Sequence, residues 1–317
     1  MQVFSFSACI GGTKCNASCP GCVAHMTAAS RPAKNPCYRN LKKACQMATT
    51  AGALTILFTG KGEPTLYADL ITRCLKELER IAPYIGRASF FRMPRWFAHG
   101  LNLIMGGRIP EYDRLPFPFA DLQTNGIELI NMRKKLQQWH RLGLSLVCLS
   151  ISHWNNEKNK ELMRASKLLD IWETVQYLHS LNYSVRINVT AQKHGVEVPN
   201  DVEEVIELCR IYDVEQLTIR DLTTPSDEET TNKKVTQWVK DHQVGLDNIL
   251  RDYLIKNGAV PILPLSHGAT IYSYKGQNIA ANNCLTLARV PEELRQVIWH
   301  EDGRIAYDWV HDAANLL

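Results

Sequence analysis

Ala53-Leu-Thr-Ile-Leu-Phe58 followed by Thr59-Gly60-Lys61-Gly62-Glu63-Pro64-Thr65 sets the reading of the whole chain. An apolar run of strand length ends abruptly in a polar, glycine-rich loop, and a helix pattern begins near Tyr67 and continues to about Ile81. This is a strand, loop, helix unit. The same alternation recurs on both sides of it. Strand-like segments fall at Val3 to Ile10, Phe117 to Gln123, Leu144 to Ser152, Ser184 to Thr190 and Gln216 to Arg220. Helical patterns fall at Leu41 to Ala51, Ile130 to Leu142, Ile171 to Leu181 and Val202 to Ile211.

Apolar strands alternating with helices demand a parallel sheet, because parallel neighbours need crossover connections and lose both faces to packing. Six such units predict an α/β fold built as a partial (β/α)6 TIM-like barrel. Two regions break the repeat. Residues 87–118, rich in Phe, Trp, Arg, Gly and Pro, read as an aromatic insertion, and aromatic content of that kind argues for an ordered, functional segment. From Thr223 to about Lys240 the chain is polar, a loop leading into a helix, and beyond it Thr270 to Ile279 and Val297 to Trp309 read as short β-hairpins. The second turns at Glu301, Asp302 and Gly303. The division expected is residues 1–222 as the barrel, with the insertion inside it, and 223–317 as a C-terminal region covering the substrate.

Bulk properties narrow the classes. The 317 residues carry a net charge of +4 with no basic cluster, so nucleic acid is not expected as a partner. No stretch of about 18 apolar residues occurs and the N-terminus has no leader pattern, so the expectation is a cytoplasmic protein with no membrane partner. Ten cysteines spread over this length do not make the dense disulfide framework of a small secreted domain.

Three of those cysteines stand together in Cys15-Asn-Ala-Ser-Cys19-Pro-Gly-Cys22. Three soft ligands on one loop can hold three corners of an iron-sulfur cube and leave the fourth iron open to a small molecule. The competing use is a structural zinc site completed by Cys9 or Cys37. Cys74, Cys148 and Cys209 lie in apolar patterns and read as buried, inert thiols.

The cysteine spacing, the Gly60-Lys61-Gly62-Glu63-Pro64 loop and Gln123-Thr124-Asn125-Gly126, each at the end of an expected strand, resemble the radical S-adenosylmethionine (SAM) superfamily over roughly residues 5–220. The resemblance implies a [4Fe-4S] cluster on Cys15, Cys19 and Cys22, with SAM chelating the open iron and being cleaved reductively to a 5'-deoxyadenosyl radical. It also implies SAM contacts from Gly60, Gly62 and Glu63, from Thr124 and Asn125, from Ser150 and Ser152, and from Arg186 and Asn188. In one place the sequence departs from the family: the residue before the third cysteine is usually aromatic and lies near adenine, and here it is Gly21. His25 and Met26 are the nearby replacements.

The resemblance implies an external electron donor such as flavodoxin or ferredoxin and an oxidoreductase or transferase. The C-terminal part holds a single cysteine, Cys284, so no additional cluster is expected there. The substrate read by elimination is a small molecule or nucleotide-like compound. Methylation of RNA, or activation of a partner protein by handing it a radical, are the alternatives. Cys284 follows Asn282 and Asn283 in a turn-prone stretch and is a candidate hydrogen-atom donor or methyl carrier.

Overall fold

A computed structural model describes residues 2–27, 33, 35–82, 85, 115–225, 230–265, 269–283, 293–309, 311 and 313–316. All of the expected insertion except residues 115–118 lies outside this set, as does Cys284.

The alternating units are present. Strands β1 (Gln2–Cys9), β2 (Thr55–Thr59), β3 (Phe119–Thr124), β4 (Leu146–Ile151), β5 (Ser184–Ala191) and β6 (Gln216–Asp221) are separated by helices α1 (Leu41–Thr50), α2 (Ala68–Ile81), α3 (Arg133–Arg141), α4 (Asn156–Met163), α5 (Ile171–Ser180) and α6 (Pro199–Ile211). They pair in sequence order, all in parallel. The helices begin where the chemistry permits: Asn155 and Asp170 accept the backbone N–H groups of Lys158 and Glu173 as N-caps, and α6 starts on Pro199, whose missing N–H costs nothing in a first turn.

Among the described residues the sheet has eleven strands and stays open, in the order β11-β10-β1-β2-β3-β4-β5-β6-β9-β8-β7. After α7 (Lys233–His242) and α8 (Leu246–Lys256) come β7 (Val260–Pro264), β8 (Thr270–Tyr274) and β9 (Gln277–Asn283), then β10 (Glu293–Trp299) and β11 (Ile305–Ala306). Both expected hairpins form. Strands β8 and β9 turn at Lys275 and Gly276, whose φ values of 49° and 82° match a two-residue hairpin turn with left-handed central residues. Each hairpin adds one strand in parallel to the sheet: β9 lies beside β6 and β10 beside β1. Strand β7, with Pro261 and Pro264, takes the edge, where a missing N–H breaks no ladder.

The two faces of the sheet differ in kind. Ile56, Phe58, Leu122, Val147, Leu149, Val185, Ile187, Val189, Leu217 and Ile219 are buried with the helices in one continuous core. Phe117, at the end of the expected insertion, joins it by stacking on Phe6 at 5.3 Å. The alternate residues of the same strands are Thr55, Leu57 and Thr59, then Phe119, Asp121 and Gln123, Leu146, Cys148 and Ser150, Ser184, Arg186, Asn188 and Thr190, and Gln216, Thr218 and Arg220. Closed barrels of this class fill that inner face with branched apolar side chains. Here Leu57, Phe119 and Leu146 share it with a majority of polar side chains.

Candidate functional site

The carboxyl ends of β1, β2 and β3 carry three loops that are tied together by hydrogen bonds. The cysteine loop follows β1 and has no regular structure beyond a single 3-10 turn at Val23–His25. The glycine loop follows β2 and packs against it: Glu63 N donates to Lys14 O at 3.0 Å. A Cβ on Gly62 would strike the carbonyl of Lys14 and stand 2.8 Å from that of Gly12, and one on Gly60 would strike the carbonyl of Ile10. The close backbone approach that these glycines permit is therefore toward the cysteine loop.

Glu63 is buried and acts as the knot. Its Oε1 accepts from Thr65 N at 3.0 Å, Thr65 Oγ1 at 2.6 Å and Thr124 Oγ1 at 2.6 Å, while Oε2 accepts from Asn125 N at 2.9 Å. A carboxylate offers about four lone-pair sites, two per oxygen. Three donors crowd Oε1, so the room left for a ligand ammonium is on Oε2. Asn125 then passes the connection to the cysteine loop, donating to Asn16 Oδ1 at 2.6 Å and lying 3.8 Å from Cys15 Sγ. Thr124 Oγ1 also accepts from Gly126 N at 3.0 Å, which closes the turn.

Cys15 is exposed and Cys19 and Cys22 are partly so, and all three thiols are free of disulfides. Burial, then the neighbouring Cys22 and Cys15, push the Cys19 thiol up to about 12; burial also raises Cys15 and Cys22. Such groups become thiolates only against a strong positive partner, which is what a metal centre provides. Among the described residues no three His, Cys, Asp or Glu side chains converge on a point suited to one metal ion. The proposed zinc alternates are placed elsewhere: Cys9 is buried on β1 with Ile298 and Ala306, and Cys37 lies against Gly303. Backbone Ala17 N, 3.4 Å from Cys15 Sγ, and the Asn125 amide supply the N–H donors that cluster-bearing sulfurs take. The donor set fits an iron-sulfur cluster.

Lys61, inside the glycine loop, is a buried lysine that sequence reading passed over. Its Nζ donates to Thr27 Oγ1 and to Trp309 O at 3.4 Å and sits 5.7 Å over the Trp309 ring. Burial lowers its pKa, opposed by Cys9 and Cys22. A lysine in the middle of a loop signals nothing by itself; its burial comes from the C-terminal hairpin.

The remaining positions divide. Ser150 and Asn188 are opposite one another on β4 and β5 at the mouth of the sheet, both half-buried. Ser152 is buried just beyond β4, its N–H held by Asn159 Oδ1 at 2.8 Å. Arg186 is committed within the sheet, donating from Nη1 to the fully buried Asp121 at 2.9 Å and from Nε to Gln216 at 2.8 Å. Among the described residues, Asn188 Oδ1 is buried with no hydrogen-bond partner. The candidates for adenine part company as well: His25 is exposed on the 3-10 turn, but Met26 is 1% exposed and packed with Leu222 and Val239, so it has no free surface. What stands over Gly21 is Trp238 of α7, whose ring is 2.6 Å from where a Gly21 Cβ would be and which stacks on His242 at 4.0 Å. Cys284 lies outside the described residues, so its candidacy rests on the sequence.

Comparison with known proteins matches residues 9–209 to the family described as the radical SAM superfamily. No curated protein sequence matches the chain. Among solved structures, the chain is similar to Streptococcus suis SuiB at 14% identity and a TM-score of 0.54, covering 99% of this chain and 66% of that one. It therefore spans just under two thirds of SuiB. It is similar to anSMEcpe with bound AdoMet at 15% identity and a TM-score of 0.47, covering 99% and 77%. For TsrM of Kitasatospora setae, a radical S-adenosylmethionine methyltransferase solved with cobalamin and a [4Fe-4S] cluster, the values are 13%, 0.40, 68% and 36%. The likeness to SuiB bears on the fold alone. Among the described residues, no helix is long and apolar enough to cross a membrane.

Proposed function

Because this chain belongs to the radical SAM superfamily, whose cofactors are a [4Fe-4S] cluster and SAM, we propose that it holds the cluster on Cys15, Cys19 and Cys22 and modifies a small-molecule or nucleotide-like substrate in the polar interior of its open sheet. The observation that carries the reading is the knot of Glu63, Thr124 and Asn125, which fixes the glycine and Thr-Asn-Gly loops against the cysteine loop at one end of the sheet. Bound there, the two cofactors supply a 5'-deoxyadenosyl radical able to take a hydrogen atom from a substrate.

The chain's own residues do the rest. The free site on Glu63 Oε2 receives the SAM ammonium, with Gly60 and Gly62 keeping the loop close to the cluster. Ser150, Ser152 and Asn188 reach the carboxylate and ribose, and Arg186 orders that wall through its bonds to Asp121 and Gln216. Trp238 supplies the aromatic surface for adenine that Gly21 lacks. Residues 1–222 form the working barrel and 223–317 cover it. Free cysteines throughout the described chain suit the reducing cytoplasm, with flavodoxin or ferredoxin as electron donor. The test is anaerobic incubation of reconstituted protein with metabolite pools and mass spectrometry for 5'-deoxyadenosine. Formation dependent on a small molecule supports the reading; dependence on RNA or on a partner protein replaces it.

A further inference from the structure

The inner face of the sheet carries an unbalanced charge. Asp121 on β3 is its one carboxylate from β2 to β6, and Arg186 on β5 and Arg220 on β6 are its two guanidinium groups. Arg186 spends Nη1 on Asp121 and Nε on Gln216. The Arg220 side chain makes no hydrogen bond among the described residues, and its Nε is buried without a partner there. Strand alternation places Arg220 on the inner face, opposite Thr190 of β5 and Asn282 of β9. Asp121 gives Oδ2 to Arg186, and one carboxylate cannot neutralise two guanidinium groups.

A buried guanidinium N–H with nothing to donate to is rare in folded proteins, because an unpaired buried donor forfeits its hydration. Where the residue is at the carboxyl end of a strand in a parallel sheet, the absent partner is most simply a ligand group. The surplus is a single positive charge, which a monoanion cancels, and a carboxylate also matches the planar fork of a guanidinium. SAM also carries a carboxylate, assigned above to Ser150 and Ser152 at the end of β4 and Asn188 on β5, and the SAM affinity of an Arg220 variant separates the two owners.

We infer that Arg220 is the anion anchor of the substrate pocket and takes a carboxylate carried by the substrate. This rests on the reading of the interior as a substrate chamber and names the chemistry of what enters it.

The test uses the full chain, anaerobically reconstituted and saturated with SAM, with three probes followed by ligand-detected NMR: N-acetylglycine, N-acetylglycinamide and inorganic phosphate. The wild type should bind the acid roughly ten- to a hundredfold more tightly than the neutral amide, the worth of one charge-assisted hydrogen bond. Arg220→Gln should abolish the discrimination without changing iron content or SAM affinity, and Arg220→Lys, which keeps the charge, should retain part of it. Equal binding of acid and amide by the wild type overturns the inference. So does phosphate bound more tightly than the acid, or loss of SAM affinity in Arg220→Gln. If Arg220→Gln does not fold, a folded Arg220→Lys that keeps only part of the wild-type discrimination supports the anchor, and undiminished discrimination in Arg220→Lys overturns it. Failure of the family reading would show separately, as wild-type protein that takes up no iron before any probe is added.

Discussion

Glu63 offers the most informative single substitution, because its carboxylate joins two loops through four hydrogen bonds while 3% exposed. In Glu63→Gln one oxygen survives to serve Thr65 and Thr124, but the new amide N–H2 faces the backbone N–H of Asn125, donor against donor. A hydrogen bond to a charged group contributes about 1.5 to 3 kcal/mol, and the bonds that survive fall to neutral strength at about half of that. A loss of about 4 to 7 kcal/mol follows for Gln, and more for Ala, which abandons all four donors. At about 2.1 cal/mol/K of unfolding entropy per residue over a 317-residue chain, 1 kcal/mol moves the midpoint by about 1.5 °C, so Glu63→Gln should lower Tm by roughly 6 to 11 °C. SAM affinity, measured by calorimetry on the cluster-loaded protein, should fall about tenfold or more in the same variant. A midpoint within about 1 °C of wild type would refute the knot. A lowered midpoint with unchanged SAM affinity would keep the knot and remove Glu63 from the cofactor.

Replacing Cys15, Cys19 or Cys22 by Ser should reduce the bound iron from about four per chain toward none, with loss of the broad visible absorption of a thiolate-ligated cluster; the triple variant retaining iron would end the assignment. Gly62→Ala should destabilise by about 1 to 3 kcal/mol through its collision with the carbonyls of Lys14 and Gly12, read as a lowered urea midpoint. Trp238→Ala should weaken SAM binding by roughly tenfold while leaving iron content unchanged, since stacking a base on an aromatic ring is worth about 1 to 3 kcal/mol; unaltered SAM affinity would leave the ring a packing role only. Cys284→Ser should still form 5'-deoxyadenosine yet lose most final product, because a hydroxyl replaces a thiol poorly as hydrogen donor or nucleophile; full product from that variant would return Cys284 to structure.

Much of the core was legible because strand and loop differ sharply in composition. Ala53 to Phe58 announces a strand, and within it Ile56 and Phe58 go to the helices while Thr55 and Thr59 face inward, the alternation a pleated strand imposes. Helix α4 escaped notice because Asn156–Met163 has few apolar residues, although Asn155 at its start was a readable cap. The sheet positions of β9 and β10 were not legible, because a hairpin's local pattern says nothing about which distant strand its outer edge will join. Lys61 and Trp238 were missed for a related reason. Neither belongs to any periodic pattern, and each gains its meaning from a residue far along the chain, Trp309 in one case and Gly21 in the other.

Those distant contacts share one target. The cysteine loop is nearly devoid of regular structure, so its order must come from what packs on it, and fixing each of its residues costs about 1 to 2 kcal/mol of backbone entropy. Glu301, in the turn between β10 and β11, accepts from Gly11 N and Ala33 N on either side of the cysteines, and its own carbonyl accepts from Cys37 N at 2.7 Å. Lys61 ties the glycine loop to Trp309, Thr231 N donates to Met26 O at 2.9 Å, and Trp238 covers Gly21. The residues after 222 thus form much of the wall behind the three thiols. Gly21 leaves room for the Trp238 ring, which a larger side chain at that position would strike. Ordering the cysteine loop and ordering the C-terminal segment are, in this chain, the same set of contacts.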